Sequence, residues 1–251
     1  MPAEESQSAA TSLEKSSATA QIEAPQSANS AVSADDALSL LKNGDLSAAD
    51  IEALSKNVLV KKSRKVQSAI AGHANTPRRI ALRLIREFYT FDLMHFSRIP
   101  TVAADLKRIA DGLLITRLAS VTFGERISLA RRASPMVASA LLADSEPRVW
   151  QTALENPRLA EVAVVNVLLR PNASAALVRA ICDHAKWSVR PEIRAALLQN
   201  ELTPLARALG FARQFSPEQL RDLLHTSRLP EKTKSYLQKE IENQARGKAE
   251  L

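Results

Sequence analysis

The chain has 251 residues, of which 45% are hydrophobic and only 4% aromatic, and it contains six glycines. This length is sufficient to bury a substantial core, and a composition so poor in glycine and aromatic residues argues against a β-sandwich or β-barrel. A single cysteine, Cys182, excludes an intramolecular disulfide and a cysteine-based metal cluster. The formal net charge of +7 is compatible with an anionic partner such as an acidic protein, a nucleic acid or a lipid headgroup, and equally with a surface that only confers solubility.

Residues 1–33 contain eight Ser and eight Ala, and their acidic residues outnumber the one lysine by three. A segment of this composition buries too little apolar surface to offset its ordering entropy, so we predict a disordered tail. Its N-terminus lacks the basic and apolar regions of a signal peptide. The longest apolar stretch of the chain, residues 162–169, is too short to cross a bilayer. We therefore expect a cytoplasmic protein without a membrane span.

Ordered structure is expected to begin with an N-terminal cap of two helices within residues 34–60. The first of these helices should stop at Asn43-Gly44, a pair that readily ends helices. Ser47 and Asp50 have the spacing of a capping box, which marks the start of the second helix.

The basic run of residues 61–65 opens the next predicted helix, which ends at His73. Thr76-Pro77 signals the start of the following helix, because Thr caps free amides and Pro is tolerated in the first turn. The aromatic-rich section 88–96 is the least regular part of the pattern, and we expect it to pack inside a bend of the core.

From residue 100 onwards, apolar positions recur at helical spacing. Gly112 is expected to break the first helix of this region. The short helices that follow are predicted at residues 137–143, 148–154, 160–169, 175–184, 191–199 and 205–215. Ser216 opens a capping box with proline at the first helical position. A polar helix over residues 230–245 then forms a C-terminal cap of the helical domain 34–245, and residues 246–251 are expected to fray.

Within residues 124–230, an apolar helix followed by a proline-containing turn recurs. Asn156 lies 22 residues after Ser134, both are followed by proline, and Asn200 lies 44 residues after Asn156. A period near 22–24 residues, with two short helices per unit, predicts an α-solenoid. One helix pair cannot bury its apolar face alone, whereas stacked pairs form a continuous core.

The segments Ala69–Pro77, Ala153–Pro157 and Ala196–Pro204 resemble bacterial leucine-rich-repeat-variant and HEAT-like repeats, over about residues 60–230. The resemblance implies an all-α, right-handed superhelix of about twelve to fifteen short helices in antiparallel pairs. It also implies a binding scaffold, with no catalytic residues to transfer. One protein of the repeat-variant family holds an iron–sulfur cluster, a feature that a chain with one cysteine cannot share.

The sequence offers four histidines as metal-ligand candidates: His73, His95, His184 and His225. None has the His-Glu-x-x-His spacing of a metal site. Three fall near predicted helix ends, where free carbonyls and the helix dipole favour histidine as a cap. We therefore predict no metal site and no cofactor.

A catalytic role would have to use aromatic and acidic residues of the repeats. Some HEAT-like proteins are DNA glycosylases, and Trp150 and Trp187 with Asp144 or Asp183 are the residues that such an enzyme would use here. Burial in an amphipathic helix is the simpler explanation of Trp150. Asp183 and His184 do not face each other, because adjacent helical residues point about 100° apart. With no phosphate-binding loop or nucleophile elbow either, we predict no catalytic residue.

Basic side chains are the strongest candidates for a functional surface, since Arg79, Arg83 and Arg86 share one stripe of a predicted helix. The complete candidate set for an anionic partner is Lys61, Lys62, Arg64, Lys65, Arg79, Arg83 and Arg86. Further arginines would extend this surface if they share its face: Arg131, Arg132, Arg158, Arg190 and Arg194. A solvated helix surface explains the same charges, because arginine stems commonly cover apolar edges.

These observations together favour a non-enzymatic scaffold whose concave surface holds another protein. The alternative is a nucleic-acid-binding module that uses the basic segment 61–86. A base-excision glycosylase is the weaker alternative.

Overall fold

The computed structural model describes residues 32–42 and 46–249, with side chains described as far as residue 242. The predicted disordered tail lies outside these residues except for its last two positions, and the predicted helix stop at Asn43-Gly44 also lies outside them. The described residues form sixteen α-helices and no strand, so the all-α prediction is confirmed. The helices are α1 (Ala34–Lys42), α2 (Ala48–Lys56), α3 (Val58–Lys62), α4 (Arg64–Gly72), α5 (Arg78–Glu87), α6 (Thr90–Arg98), α7 (Ala104–Arg117), α8 (Phe123–Arg132), α9 (Pro135–Leu141), α10 (Pro147–Leu154), α11 (Glu161–Leu168), α12 (Ala175–Asp183), α13 (Pro191–Gln199), α14 (Leu205–Ala212), α15 (Pro217–Thr226) and α16 (Glu231–Ala249).

Several helices begin where the sequence places an N-terminal cap. Ser47 and Ser216 form the two predicted capping boxes, at the starts of α2 and α15. The six helices predicted between residues 137 and 215 match α9–α14 to within three residues at each end. Among these six helices only α9 has a side-chain N-cap hydrogen bond, from Ser134, while α9, α10 and α13 begin with proline in the first turn. The last helix, α16, continues to Ala249, past the end predicted for it.

The region around the basic run contains more helices than predicted, which raises the total to sixteen. Asn57 ends α2 and also caps α3, because its side chain accepts the backbone N–H of Leu59 (2.8 Å). Ser63 then separates α3 from α4. The basic run is consequently split between the end of α3 and the start of α4.

The prediction that Thr76 caps the start of the next helix is wrong. Its hydroxyl donates instead to the carbonyl oxygen of Ile70 in the preceding helix (2.5 Å). Thr203, the second Thr-Pro threonine, does the same to Leu197 (2.6 Å). The last carbonyls of a helix lack partners within it, and a hydroxyl just beyond the end satisfies one of them. Thr-Pro here closes one helix, and proline occupies the N-cap of the next.

Two further local expectations are also corrected by the structure. Gly112 lies inside the continuous helix α7 and does not break it. Within the aromatic-rich section, Phe88 and Phe96 are buried and pack edge to face, with ring centroids 5.6 Å apart. Most of that section nevertheless forms the regular helix α6, while Tyr89 and Phe91 are exposed.

Buried polar side chains connect the helix ends. Asn156 donates from Nδ2 to the carbonyl oxygen of Ala130 near the end of α8 (2.8 Å), and its Oδ1 accepts the N–H of Arg158 (2.8 Å). Asn200 repeats this arrangement on α11. Ser134, which the 22-residue spacing aligns with Asn156, instead caps the start of α9 by accepting the N–H of Val137. The 44-residue spacing therefore relates two asparagines with similar hydrogen bonds, whereas Ser134, at the 22-residue spacing, has a different role.

Helix packing is predominantly between neighbours in the chain. Among the described helices, every pair with extensive contact lies at most three positions apart, as in α6–α7, α8–α10 and α11–α13. The buried apolar side chains form one contiguous cluster from Ala37 to Ile241. None of the described helices combines the length and apolar character needed to cross a membrane.

Candidate anion-binding surface

The first part of the candidate surface is the basic corner, which we define as Lys61, Lys62, Arg64 and Lys65. Lys61 and Lys62 end α3, whereas Arg64 and Lys65 begin α4. Val60 and Val66 lie on either side and are fully buried, so they fix both helices to the core. All four basic side chains are exposed.

The basic corner lies beside the C-terminal end of α5. The guanidinium carbon of Arg64 lies 4.0 Å from the centroid of the Tyr89 ring, a cation–π contact. Tyr89 is the N-cap of α6, two residues after the end of α5, and is 61% exposed, so the contact lies at the surface. Arg86 occupies the last turn of α5 and is also exposed. The contact therefore joins the corner to the turn between α5 and α6.

The second part is the α2–α5 groove, a cavity of about 260 Å³. It is lined by Glu52, Ser55, Lys56, Arg79, Ile80 and Arg83. Glu52 accepts a hydrogen bond from Arg79 across the groove and forms an ion pair with Lys56 one turn along α2, with Nζ and Oε1 3.2 Å apart. Hydrogen bonds from Lys56 and then from Arg79 lower the pKa of Glu52 below its usual value, so its carboxylate is ionised at neutral pH.

The groove carries excess positive charge. Lys56, Arg79 and Arg83 contribute three positive charges, and Glu52 contributes one negative charge. Arg83 is exposed and forms no ion pair with any other residue that the structure describes. Two positive charges therefore remain uncompensated within one concave site.

The seven predicted residues are all exposed on α3, α4 and α5. Arg79 and Arg83 line the groove, whereas Lys61, Lys62, Arg64 and Lys65 form the separate basic corner. Lys56 and Glu52 in the groove and Tyr89 at the corner were not among the predicted residues. The spacing of Glu52 and Lys56, four apart in a helix, was a visible signal for an ion pair. Nothing local in the sequence indicated that this pair lies against Arg79.

The arginines expected to extend the surface differ in their contacts. Arg131, Arg132 and Arg158 are exposed. Arg190 instead forms an ion pair with Glu161, with Nη1 and Oε2 2.6 Å apart. Nε of Arg194 donates to the carbonyl oxygen of Ser188 (2.7 Å). The last two arginines therefore connect neighbouring parts of the fold.

All four histidines lie at or near helix C-termini, as predicted for three of them, and His95 and His225 occupy the last turns of α6 and α15. His73 and His184 are the C-caps of α4 and α12. In each, Nδ1 accepts the backbone N–H two residues further on, that of Asn75 (3.2 Å) or Lys186 (3.1 Å). Over residues 32–42 and 46–242, no three His, Cys, Asp or Glu side chains converge as metal ligands would.

The tryptophans considered for a catalytic role lie in the core. Trp150 and Trp187 are 4% and 1% exposed. Nε1 of Trp187 donates to the carbonyl oxygen of Leu154, the last residue of α10 (2.9 Å). Of the acidic residues considered with them, Asp144 pairs with Arg126 and Asp183 pairs with Arg207.

Comparison with protein-family models, with curated proteins and with solved structures finds no match to this chain. Its function is therefore inferred from the geometry and charge of its own surface.

Proposed function

We propose that the chain is a non-enzymatic helical-repeat scaffold, a HEAT-like α-solenoid that binds a protein partner through α3, α4 and the end of α5. The solenoid is supported by packing between helices close in the chain and by the single contiguous core, both of which stacked repeats produce. It is further supported by the equivalent hydrogen bonds of Asn156 and Asn200.

The composition of α3 carries the proposal of a protein partner. This five-residue helix buries only Val60, while Val58 is 65% exposed and Leu59 is 42% exposed. Lys61 and Lys62 complete its exposed surface. Large aliphatic side chains gain free energy when they leave water, and protein interfaces combine such a core with a charged rim. An acidic partner with an apolar contact surface matches both features.

A site-specific crosslink tests this proposal. A photo-crosslinking amino acid in place of Leu59, in the native cells, is expected to give a reproducible covalent adduct with one protein. Val58→Ser and Lys62→Glu, each introduced alone into the crosslinking chain, should abolish the adduct. The first removes an apolar contact and the second removes a charged one. A crosslinker in place of Gln238, an exposed residue of α16, is the control. The same adduct from both positions, or none from position 59, contradicts the proposal.

Nucleic-acid binding is the second candidate function, favoured by the contact of Arg64 with the exposed ring of Tyr89. Aromatic rings among basic side chains form stacking surfaces for single strands. This function requires retention on single-stranded DNA or RNA that falls steeply with salt. It also requires that Lys61→Glu with Lys62→Glu abolishes retention. A chain that is not retained at low salt lacks this function.

The proposal remains non-enzymatic because a glycosylase needs aromatic residues at its surface to hold an extruded base. The burial of Trp150 and Trp187 gives that alternative no support from this pair.

A further inference from the structure

The α2–α5 groove differs from the basic corner in one respect. Its positively charged side chains surround a cavity whose lining also includes a carboxylate, that of Glu52. The carboxylate of Glu52 accepts a hydrogen bond from Nη2 of Arg79 and forms an ion pair with Nζ of Lys56. An arginine side chain has five N–H donors, so a single carboxylate contact leaves Arg79 with further donors for a ligand. Glu52 thereby holds two cations at the wall of the groove without neutralising them completely.

We propose that the α2–α5 groove binds a phosphate monoester, as carried by a phosphorylated serine or threonine of the protein partner. This inference rests on the proposed function, because it takes the partner to be a protein. It adds the chemical group that the partner presents and the residues that recognise it: Lys56, Arg79 and Arg83.

Charge balance favours a phosphate monoester over other anions. A phosphorylated side chain carries about −1.5 to −2 at neutral pH. This matches the excess of two positive charges left by Lys56, Arg79 and Arg83 around Glu52. A partner carboxylate or a nucleic-acid phosphodiester carries a single negative charge, which balances half of that excess and still meets the repulsion of Glu52.

The geometry also suits phosphate. Arg83 is exposed at the cavity and forms no ion pair among the described residues, so its planar guanidinium can donate two parallel hydrogen bonds to phosphate oxygens. Ser55 lines the same cavity, but its hydroxyl donates to the carbonyl oxygen of Glu52 (2.8 Å), so recognition rests on the cations. A larger cavity of about 440 Å³, lined by residues that include Arg131, Glu155 and His184, has one arginine against one glutamate and lacks such an excess.

An NMR titration with inorganic phosphate, at about pH 8 where the dianion predominates, tests the site on the full-length chain. We expect saturable shifts of the backbone amides of Ser55, Lys56 and Arg83, which chloride at equal ionic strength does not produce. Arg83→Gln should raise the Kd for phosphate at least about tenfold, because it removes both charge-assisted hydrogen bonds of the guanidinium. Arg221→Gln, which removes an exposed arginine from α15, should leave the Kd unchanged.

Shifts that do not saturate, or that chloride reproduces, overturn the assignment. An equal loss of phosphate affinity in Arg83→Gln and Arg221→Gln also overturns it, because such a result indicates general charge attraction. A second arm compares a phosphoserine peptide, its unphosphorylated form and a short single-stranded oligonucleotide. Tighter binding of the phosphopeptide than of both others supports the proposal, and equal or tighter binding of the oligonucleotide contradicts it.

The two proposals fail in distinguishable ways. Loss of the crosslink at position 59 with intact phosphate binding contradicts the scaffold surface alone. Loss of phosphate binding with an intact crosslink contradicts the phosphate site alone.

Discussion

Asn200 donates a hydrogen bond from Nδ2 to the carbonyl oxygen of Leu168, the last residue of α11 (2.5 Å). Its Oδ1 accepts the N–H of Leu202 (2.9 Å), so one side chain joins the turn after its own helix to the end of an earlier helix. Both Asn200 and Leu168 are buried, where a backbone group without a partner costs free energy. Because Asn156 does the same on α8, this contact stabilises the stacking of helices at two corresponding places.

Replacement of Asn200 by alanine is expected to lower the free energy of unfolding by about 2–4 kcal/mol. The buried carbonyl group of Leu168 and the partly buried N–H of Leu202 lose their partner. A buried group without a partner costs roughly 1–3 kcal/mol, and a partly exposed one costs less because water reaches it. Urea unfolding followed by circular dichroism measures the change. Asn166→Ala, at an exposed position of α11, is the control and should change stability by less than about 0.5 kcal/mol. An effect of similar size from both variants would show that Asn200 has no special role.

Asp111 is expected to make stability depend on pH. Asp111 is 6% exposed, and burial raises the pKa of its carboxyl group above 3.8, a rise that the nearby hydroxyl groups of Ser134 and Ser97 offset only in part. Its Oδ1 has no hydrogen-bond partner among the described residues. Because the folded state favours the protonated acid, stability falls as pH rises from near 3.8 through the raised folded-state pKa.

The variant Asp111→Asn removes this titration. We expect it to be more stable than the original chain at neutral pH, and the difference should shrink as pH falls towards the unfolded-state pKa. Urea midpoints measured across this pH range test the expectation, with the exposed Asp222→Asn as control. A stability difference that stays constant with pH would exclude Asp111 as the titrating group.

Cys182 is expected to resist thiol reagents in the folded chain. The side chain is 1% exposed, and burial, followed by the nearby charge of Asp183, raises the pKa of its thiol to about 11. The reactive species is the thiolate, so both access and ionisation are reduced. Labelling with iodoacetamide, measured by mass spectrometry, should be slow without urea and fast once the chain unfolds. Ser235→Cys in a Cys182→Ser background provides an exposed cysteine for comparison, and equal native-state rates would refute the expectation.

Whether the sequence predicts a contact depends on how far apart its two residues lie along the chain. Ser47 and Ser216 cap their helices through residues three positions away, so a local pattern identifies them. Thr76 is also local, but a hydroxyl between two helices can serve either end, and only the packed structure decides which. The groove depends on Arg79 lying against Glu52, 27 residues earlier, and no local pattern encodes that contact.

Gly112 offers a test of whether α7 is intrinsically weakened at this position. It lies within the helix, and a Cβ atom added there would have no side chain and no neighbouring helix within 4 Å, its adjacent residues aside. Alanine loses less conformational entropy than glycine on helix formation, so Gly112→Ala should raise the free energy of unfolding by roughly 0.5–1 kcal/mol. Gly72→Ala, in the last turn of α4, is the matched comparison, because its added Cβ would lie 3.0 Å from Cγ2 of the buried Val102. Thermal unfolding should therefore show a higher Tm for Gly112→Ala and no such gain for Gly72→Ala. A lower Tm for Gly112→Ala would mean that the helix requires glycine there.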